Sequence, residues 1–229
     1  FGVVMLNTYK VVIPKVIGTV ISSVLTAYGF SRFEFIGKKA MFALMMSTLF
    51  LPQVVLNVPQ FLLFTSWGWV DTYKPLIVPT FFAGEAYFVF MLTQFMRSVS
   101  REMEEAAEMD GCSDFKFFSR IVIPLSTPIV AVLCLWVAVS LWNSYFNPMI
   151  YINSEDKYPL QLVLRRILLM SQVNLNSSSV DPQVIAKNQY LSEMLKYGTI
   201  IISTLPLMVI YPFVQKYFVK GVMIGSVKG

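Results

Sequence analysis

The sequence has no histidine and only two cysteines among its 229 residues. Without histidine it lacks the commonest general acid–base group and metal ligand, which argues against a catalytic subunit. Cys112 and Cys134 match neither a CxxC pair nor a zinc-ligand spacing. One falls in a polar loop and the other in an apolar run, so no disulfide joins them. Charge is scarce as well. Charged side chains make up 14% of the chain, against roughly 25% in an ordinary soluble domain. With 56% hydrophobic residues and a mean hydropathy of +0.64, this deficit indicates a polytopic membrane protein. The net charge of +5 is modest and spread over loops. That excludes a nucleic-acid patch and fits the bias of basic residues toward the cytoplasmic face. No signal peptide can be read, and the first residue is Phe1 rather than Met, so a missing natural N-terminus is expected.

What is present is mostly membrane-length apolar sequence. A helix needs about 20 such residues to cross the bilayer core, and five stretches qualify: spans A (6–30), B (40–64), C (76–96), D (126–150) and E (195–218). The fold class expected is all-α, with 1–229 as one transmembrane domain. Arg32, Lys38 and Lys39 in the 31–39 loop share one side with Arg97, Arg101, Lys116 and Arg120 of the 97–125 loop. Lys216, Lys220 and Lys228 lie at or beyond the end of span E and join them, which makes that side cytoplasmic. The other side holds the chain start, with Lys10, Pro14 and Lys15 near the outer end of span A. It also holds the 65–75 loop and a long extracytoplasmic loop, 151–193. Trp67, Trp69 and Tyr73 read as anchors in the outer aromatic belt. Residues 158–170 read as an amphipathic helix on or near the membrane surface, and 171–190 as an exposed loop.

Six polar residues inside or near spans are candidates for a substrate path. Gln53, Asn57 and Gln60 recur at spacings of four and three, so they share one helix face, flanked by Pro52 and Pro59. Such a stripe either lines a water-filled path or bonds a neighbouring helix. Glu85 is a carboxylate at membrane depth in span C: a functional group by default, or an interface residue beside Tyr87. Asn143 and Asn147 stand four apart among Trp142, Tyr145 and Pro148. Amides with aromatic rings suit sugars, and they equally suit interface anchoring.

The most polar stretch is Glu105–Pro124 in the 97–125 loop. It reads as a short acidic helix, a glycine break, a second short helix, and a proline that opens the next span. Ser100 is positioned to cap the first helix, with Glu102, Glu104 and Glu105 near its positive end. Ala106 and Ala107 form a surface another protein can approach closely. Gly111 suits the left-handed residue that ends a helix. Ser113 is placed to cap the second helix, whose Phe115, Phe117, Phe118 and Ile121 offer an apolar face.

Glu105-Ala106-Ala107, three residues, Gly111, nine residues, Ile121, one residue, then Ile123-Pro124 resembles the EAA loop of bacterial ABC importer permeases. The family has Leu where Ile123 stands. Ala27-Tyr28 with Ser31-Arg32 resembles the AYA-x-x-R ending of a span in the carbohydrate branch. Pro52, Pro59, Gly68-x-x-Asp71-Thr72 and Trp142-Asn143 resemble further landmarks in order, and the tail from Val219-Lys220-Gly221 to Val227-Lys228-Gly229 is similar to its C-terminus. The likeness is to the second-permease type of the maltose importer, and the long outer loop to permeases for aldouronate or alginate fragments.

This resemblance implies the type I ABC importer transmembrane fold, whose usual six spans leave a first span missing here. It implies a multi-pass protein of the bacterial cytoplasmic membrane that moves oligosaccharides and is not itself an enzyme. The implied partners are membrane lipid, a second permease (a different chain), two ATP-binding subunits on the cytoplasmic side and an extracytoplasmic solute-binding protein. No nucleic acid is implied, and no cofactor in this subunit, since ATP and Mg belong to the ATPase. Carried across, Glu105, Ala106, Ala107, Asp110, Gly111 and Pro124 are the ATPase-coupling residues. An importer of polyamines, phosphonate or amino acids would share the EAA loop. A secondary transporter or channel is the alternative from another class.

Overall fold

The computed structural model describes residues 2–174, without the side chains of 170–174, and residues 190, 193–194, 197–198, 200–206, 208–209 and 211–212. The expected 171–190 loop (beyond the helical 171–174), much of span E and the basic tail lie outside the described residues.

The first span is α1 (Gly2–Arg32), longer at both ends than span A. It is the axis of the bundle. Thr19, Ser23, Ala27 and Ser31 follow one another at four-residue spacing and are all buried, so one face of α1 is lined with small side chains. Lipid offers no hydrophobic drive between helices, and close backbone approach along small residues supplies the packing instead. Gly18 extends this surface. A Cβ there would lie 2.7 Å from the Phe81 ring and 2.8 Å from Thr80 Oγ1. The Ser22 hydroxyl donates to the Thr80 carbonyl at 2.8 Å. Such a bond is worth about 0.6 kcal/mol in a membrane, so the packed face outweighs it.

Spans B and C are not continuous helices. After a loop containing Gly37, α2 (Lys38–Ser47) runs into a 3-10 turn at Thr48–Phe50 and stops. Then α3 (Gln53–Ser66) departs at 104°. Pro52 forces the break: its ring disfavours a helical Leu51, which takes φ −82, ψ 118. Pro59 stays inside α3. Span C consists of α4 (Lys74–Ile77), a 3-10 turn at Val78–Phe82, left-handed Ala83 (φ 52), Gly84, Glu85, and α5 (Ala86–Arg97). Glu85 is therefore at a helix break, not on a continuous span.

Next come α6 (Arg101–Met109) and α7 (Asp114–Phe117), then a π turn at Phe118–Val122 that leads straight into α8 (Ile123–Trp142). Helix thus extends from 114 to 142, and Pro124 sits within it rather than opening a new span. Span D, expected over 126–150, ends at Trp142. A separate α9 (Phe146–Tyr151) follows. The wide π turn accommodates the ring and the missing N–H of Pro124. Among the described residues, three helical stretches are long and apolar enough to cross a membrane, 2–32, 74–97 with its break, and 114–142; counted as one span, the bent α2–α3 pair makes a fourth. The core joins α1, α5, α7, the π turn and α8 through Ala27, Val89, Leu92, Met96, Phe117, Val122, Leu133 and Val137.

A 3-10 turn at Glu155–Lys157 leads to α10 (Leu160–Asn174). The first turns of this helix are seated on the bundle. Leu160, Leu162 and Leu164 are buried, and the Leu160 N–H donates to Thr8 Oγ1 on α1 at 2.9 Å. Its charges are also engaged: Arg165 lies 4.4 Å over the Tyr145 ring, and Arg166 pairs with Glu155. The aromatic belt is a packed cluster, with Trp69 stacked 5.4 Å from Phe64 and edge-on to Trp67 at 5.0 Å, of which only Trp67 is exposed.

Asp71 clamps two outer loops together. Its carboxylate accepts the N–H groups of Asn153 (3.0 Å) and Ser154 (2.8 Å), the Ser154 hydroxyl (2.5 Å) and the Lys157 ammonium (2.8 Å). The Lys157 bond first, and then those from Ser154, hold this carboxyl well below the usual range. Because the folded-state value is depressed, the clamp stabilises the protein above the unfolded value of about 3.9 and is lost as pH falls below it. Asp71→Asn is expected to lower the thermal midpoint near neutral pH. The gap from wild type should hold down to about pH 4 and narrow below that, since the clamp is fully charged only above the unfolded value. A gap independent of pH would show that the charge is not what ties these loops.

Candidate functional site

The acidic helix α6 ends in a Schellman turn. The Gly111 N–H donates to the Glu108 carbonyl (2.9 Å) and the Cys112 N–H to the Ala107 carbonyl (2.9 Å), with Gly111 at φ 72. Ser100 and Ser113 stand at the N-cap positions of α6 and α7 with extended backbones, but neither side chain makes a capping bond. Glu102 and Glu104 occupy the first turn, while Glu105 follows in the second. Glu105, Ala106, Asp110 and Gly111 are exposed. Ala107 is not part of that surface; it packs against the core. Phe115 also departs from expectation: it is 77% exposed, while Phe117, Phe118 and Val122 are the buried face. Met109 is 89% exposed beside Asp110. The tip is therefore a carboxylate surface studded with two apolar side chains. Met109 could have been noticed as an apolar residue directly before the helix stop.

A buried arginine ties this helix to the bundle. Arg32, at the end of α1, donates to Glu104 Oε2 at 2.9 Å and to the carbonyls of Met96 (2.8 Å) and Val99 (2.9 Å). Its side chain is 3% exposed and that of Glu104 is 23% exposed. The guanidinium also faces the Phe117 ring at 5.9 Å. Beside it, the Tyr28 hydroxyl donates to the Asp114 carbonyl at 3.3 Å. The planar fork of arginine suits several acceptors at once, which a lysine could not serve. In the sequence, Arg32 appears only as a basic loop residue and part of a landmark.

Toward the opposite end, a cavity of about 320 Å³ opens between α1, α3, the α4–α5 break and α9. It gathers Gln53, Gln60, Glu85 and Asn147, four of the six substrate-path candidates, with Lys15 and Tyr151. Within the stripe, the Gln53 amide donates to Gln60 at 3.3 Å and to Asn57 at 3.4 Å. Asn57 is thus tied to the group without lining the cavity. Asn143 is elsewhere: it caps α8, its amide donating to the Val139 carbonyl at 3.0 Å. Its neighbour Trp142 is buried and donates to the Ser203 carbonyl at 2.9 Å, fastening a residue of span E. Lys15 is not near the outer end of its helix. It stands about 20 Å along α1 at 1.5 Å per residue, close to the middle. A lysine inside a membrane-spanning helix is costly unless it faces a polar space, so its presence needs a reason. It makes no hydrogen bond or ion pair with a described residue.

Residues 18–224 match the family described as "Binding-protein-dependent transport system inner membrane component". The polygalacturonan/rhamnogalacturonan transport system permease protein YtcP of Bacillus subtilis (strain 168) is 36% identical over 223 residues, covering 93% of this chain and 73% of that protein. Protein LplC of the same organism is 39% identical over 172 residues, 75% of this chain and 56% of LplC, so the chain spans little more than half the length of that relative. A solved bacterial ABC transporter involved in the import of the acidic polysaccharide alginate contains a similar fold, with TM-score 0.77 and 28% identity over 95% of this chain and 75% of that one. The broken spans, the projecting acidic helix and the match over nearly all of its length lead to one assignment: the chain belongs to the family of inner-membrane components of binding-protein-dependent transport systems.

Proposed function

We propose that this chain is a permease subunit of an ATP-driven importer of oligosaccharides. It works beside a second, different permease, two cytoplasmic ATP-binding subunits and an extracytoplasmic solute-binding protein. The subunit itself carries no cofactor; ATP and Mg are used by the ATPase. The observation that carries this reading is the tip of α6. Glu105 and Ala106 are exposed on a helix that Gly111 terminates and Arg32 holds, and the exposed Met109 and Phe115 add an apolar anchor. An exposed apolar pair rimmed by carboxylates has the composition of a docking surface. Glu105 pairs with a basic residue of the ATPase, Ala106 permits close approach, Ala107 seats the helix on its own bundle, and Asp110 and Gly111 make the turn. Pro124 sets the π turn that joins the tip to α8. Closure of the ATPase dimer then rocks the bundle between inward-facing and outward-facing states. The polar cavity is the substrate path, with Gln53, Gln60, Glu85 and Asn147 lining it and Asn57 supporting it. The relatives' names favour sugars over polyamines, phosphonate or amino acids, which a substrate-dependent ATPase panel separates.

Glu105→Lys is expected to weaken assembly with the ATP-binding subunit by about tenfold, the scale of one charge-assisted contact reversed. Co-purification at moderate salt checks this, and unchanged recovery of the ATPase would count against the docking role.

A further inference from the structure

Resting on the importer reading, we propose that Lys15 is the anchor for the carboxylate of an acidic sugar, and that the cavity it lines is a transit site for uronate-bearing oligosaccharides. The observation is a cation near the middle of a membrane helix, facing a polar cavity of about 320 Å³, with no hydrogen bond or ion pair among the described residues. The volume is at the lower end of ligand cavities, roughly 300–1,000 Å³. Glu85 is the other charged residue among those lining the cavity, and the two form no ion pair. Glu85 acts on Lys15 only through space, so the ammonium makes no hydrogen bond to a described residue.

The rest of the cavity fits a pyranose. Gln53, Gln60 and Asn147 offer amide donors and acceptors for hydroxyls, and the edges of the buried Phe64 and Tyr151 form an apolar part of the wall. A neutral sugar needs those groups alone and gains nothing from an ammonium whose desolvation is unfavourable. A uronate compensates that cation. Glu85 then accepts from hydroxyls and repels a carboxylate placed the wrong way round, which orients the sugar and keeps its residence short. A transit site needs that balance, because a ligand held too well does not leave.

The test uses the whole transporter in vesicles with its partner permease, ATP-binding subunits and binding protein. The probes are a galacturonate trimer and its carboxyl-reduced neutral counterpart at sub-saturating concentration. Lys15→Gln is expected to lower uptake of the acidic trimer by about tenfold, with the neutral one changed by less than about twofold. Lys15→Arg should restore the acidic uptake, since the charge is kept. Comparing each variant with wild type on each sugar cancels the contribution of the binding protein. Unchanged acidic uptake in Lys15→Gln, or an equal fall for both sugars in an assembled complex, overturns the proposal. So does a wild type that imports the neutral trimer and not the acidic one. A wild type that imports neither sugar removes the importer reading as well. If Lys15→Gln does not assemble, Gln53→Glu puts a like charge in the same cavity and should depress acidic uptake well beyond neutral uptake, which loses only an amide contact; equal falls for both sugars would again overturn the assignment.

Discussion

Arg32→Met is expected to detach the acidic helix from the bundle while leaving the spans inserted. The substitution keeps the length and apolar stem of the side chain and removes a buried guanidinium with three acceptors. Glu104, 23% exposed, is left with a largely unpaired charge, and the carbonyls of Met96 and Val99 lose their donor. Removing one partner of a buried pair typically costs about 3–5 kcal/mol, and the partial exposure of Glu104 puts this site toward the lower figure. That energy exceeds what the few contacts of a nine-residue helix can offset. Amide hydrogen exchange over residues 98–112 should speed up sharply, and sugar-stimulated ATP hydrolysis in reconstituted vesicles should fall toward its basal rate. Arg32→Lys should recover little, because one ammonium cannot span Glu104 and two carbonyls. Normal protection together with normal stimulation in the methionine variant would show that α6 is positioned by something else.

The second large effect is expected at Gly111. Gly111→Pro should leave the permease in the membrane and uncouple transport from ATP hydrolysis. Proline holds φ near −65°, against φ 72 at this residue, and it deletes the N–H that donates to Glu108. The Schellman turn cannot form, so Glu105 and Met109 point elsewhere when the ATPase approaches. Gly111→Ala separates backbone strain from bulk. Nothing lies within 4 Å of an added Cβ, so alanine carries only the left-handed backbone term of roughly 1–2 kcal/mol and should retain partial coupling. Sugar-stimulated ATPase measured beside uptake tests both, and full stimulation in the proline variant would end the coupling argument.

The acidic helix and its stop were legible because they depend on local chemistry. Glycine's freedom at positive φ, acidic residues near a helix start and the spacing to Pro124 all act within a few residues. The polar stripe on span B was legible for the same reason, as helical periodicity puts Gln53, Asn57 and Gln60 on one face. Pro52 announced a kink but not its size. A bend of 104° depends on where α3 finds room against α4 and α9, and no local rule carries that information. Asn143 and Asn147 illustrate the limit well. Their spacing suits a shared helix face, yet the helix ends between them, so one caps α8 and the other reaches the cavity.

Alone, the sequence determined that this is a membrane protein with basic ends on one side, an acidic helix halted at a glycine, and a proline-interrupted second span. Those properties follow from residue chemistry and near-neighbour geometry. Only the tertiary structure decided which distant groups meet. It brought Arg32 to Glu104 across 72 positions and Asp71 to Lys157 across 86. It turned Ala107 inward and Met109 outward, and put Lys15 in one cavity with Gln53, Glu85 and Asn147. The reason is that such encounters depend on how whole helices break and pack. A lysine in an apolar run reads the same whether it ends up at the interface or facing a path through the membrane.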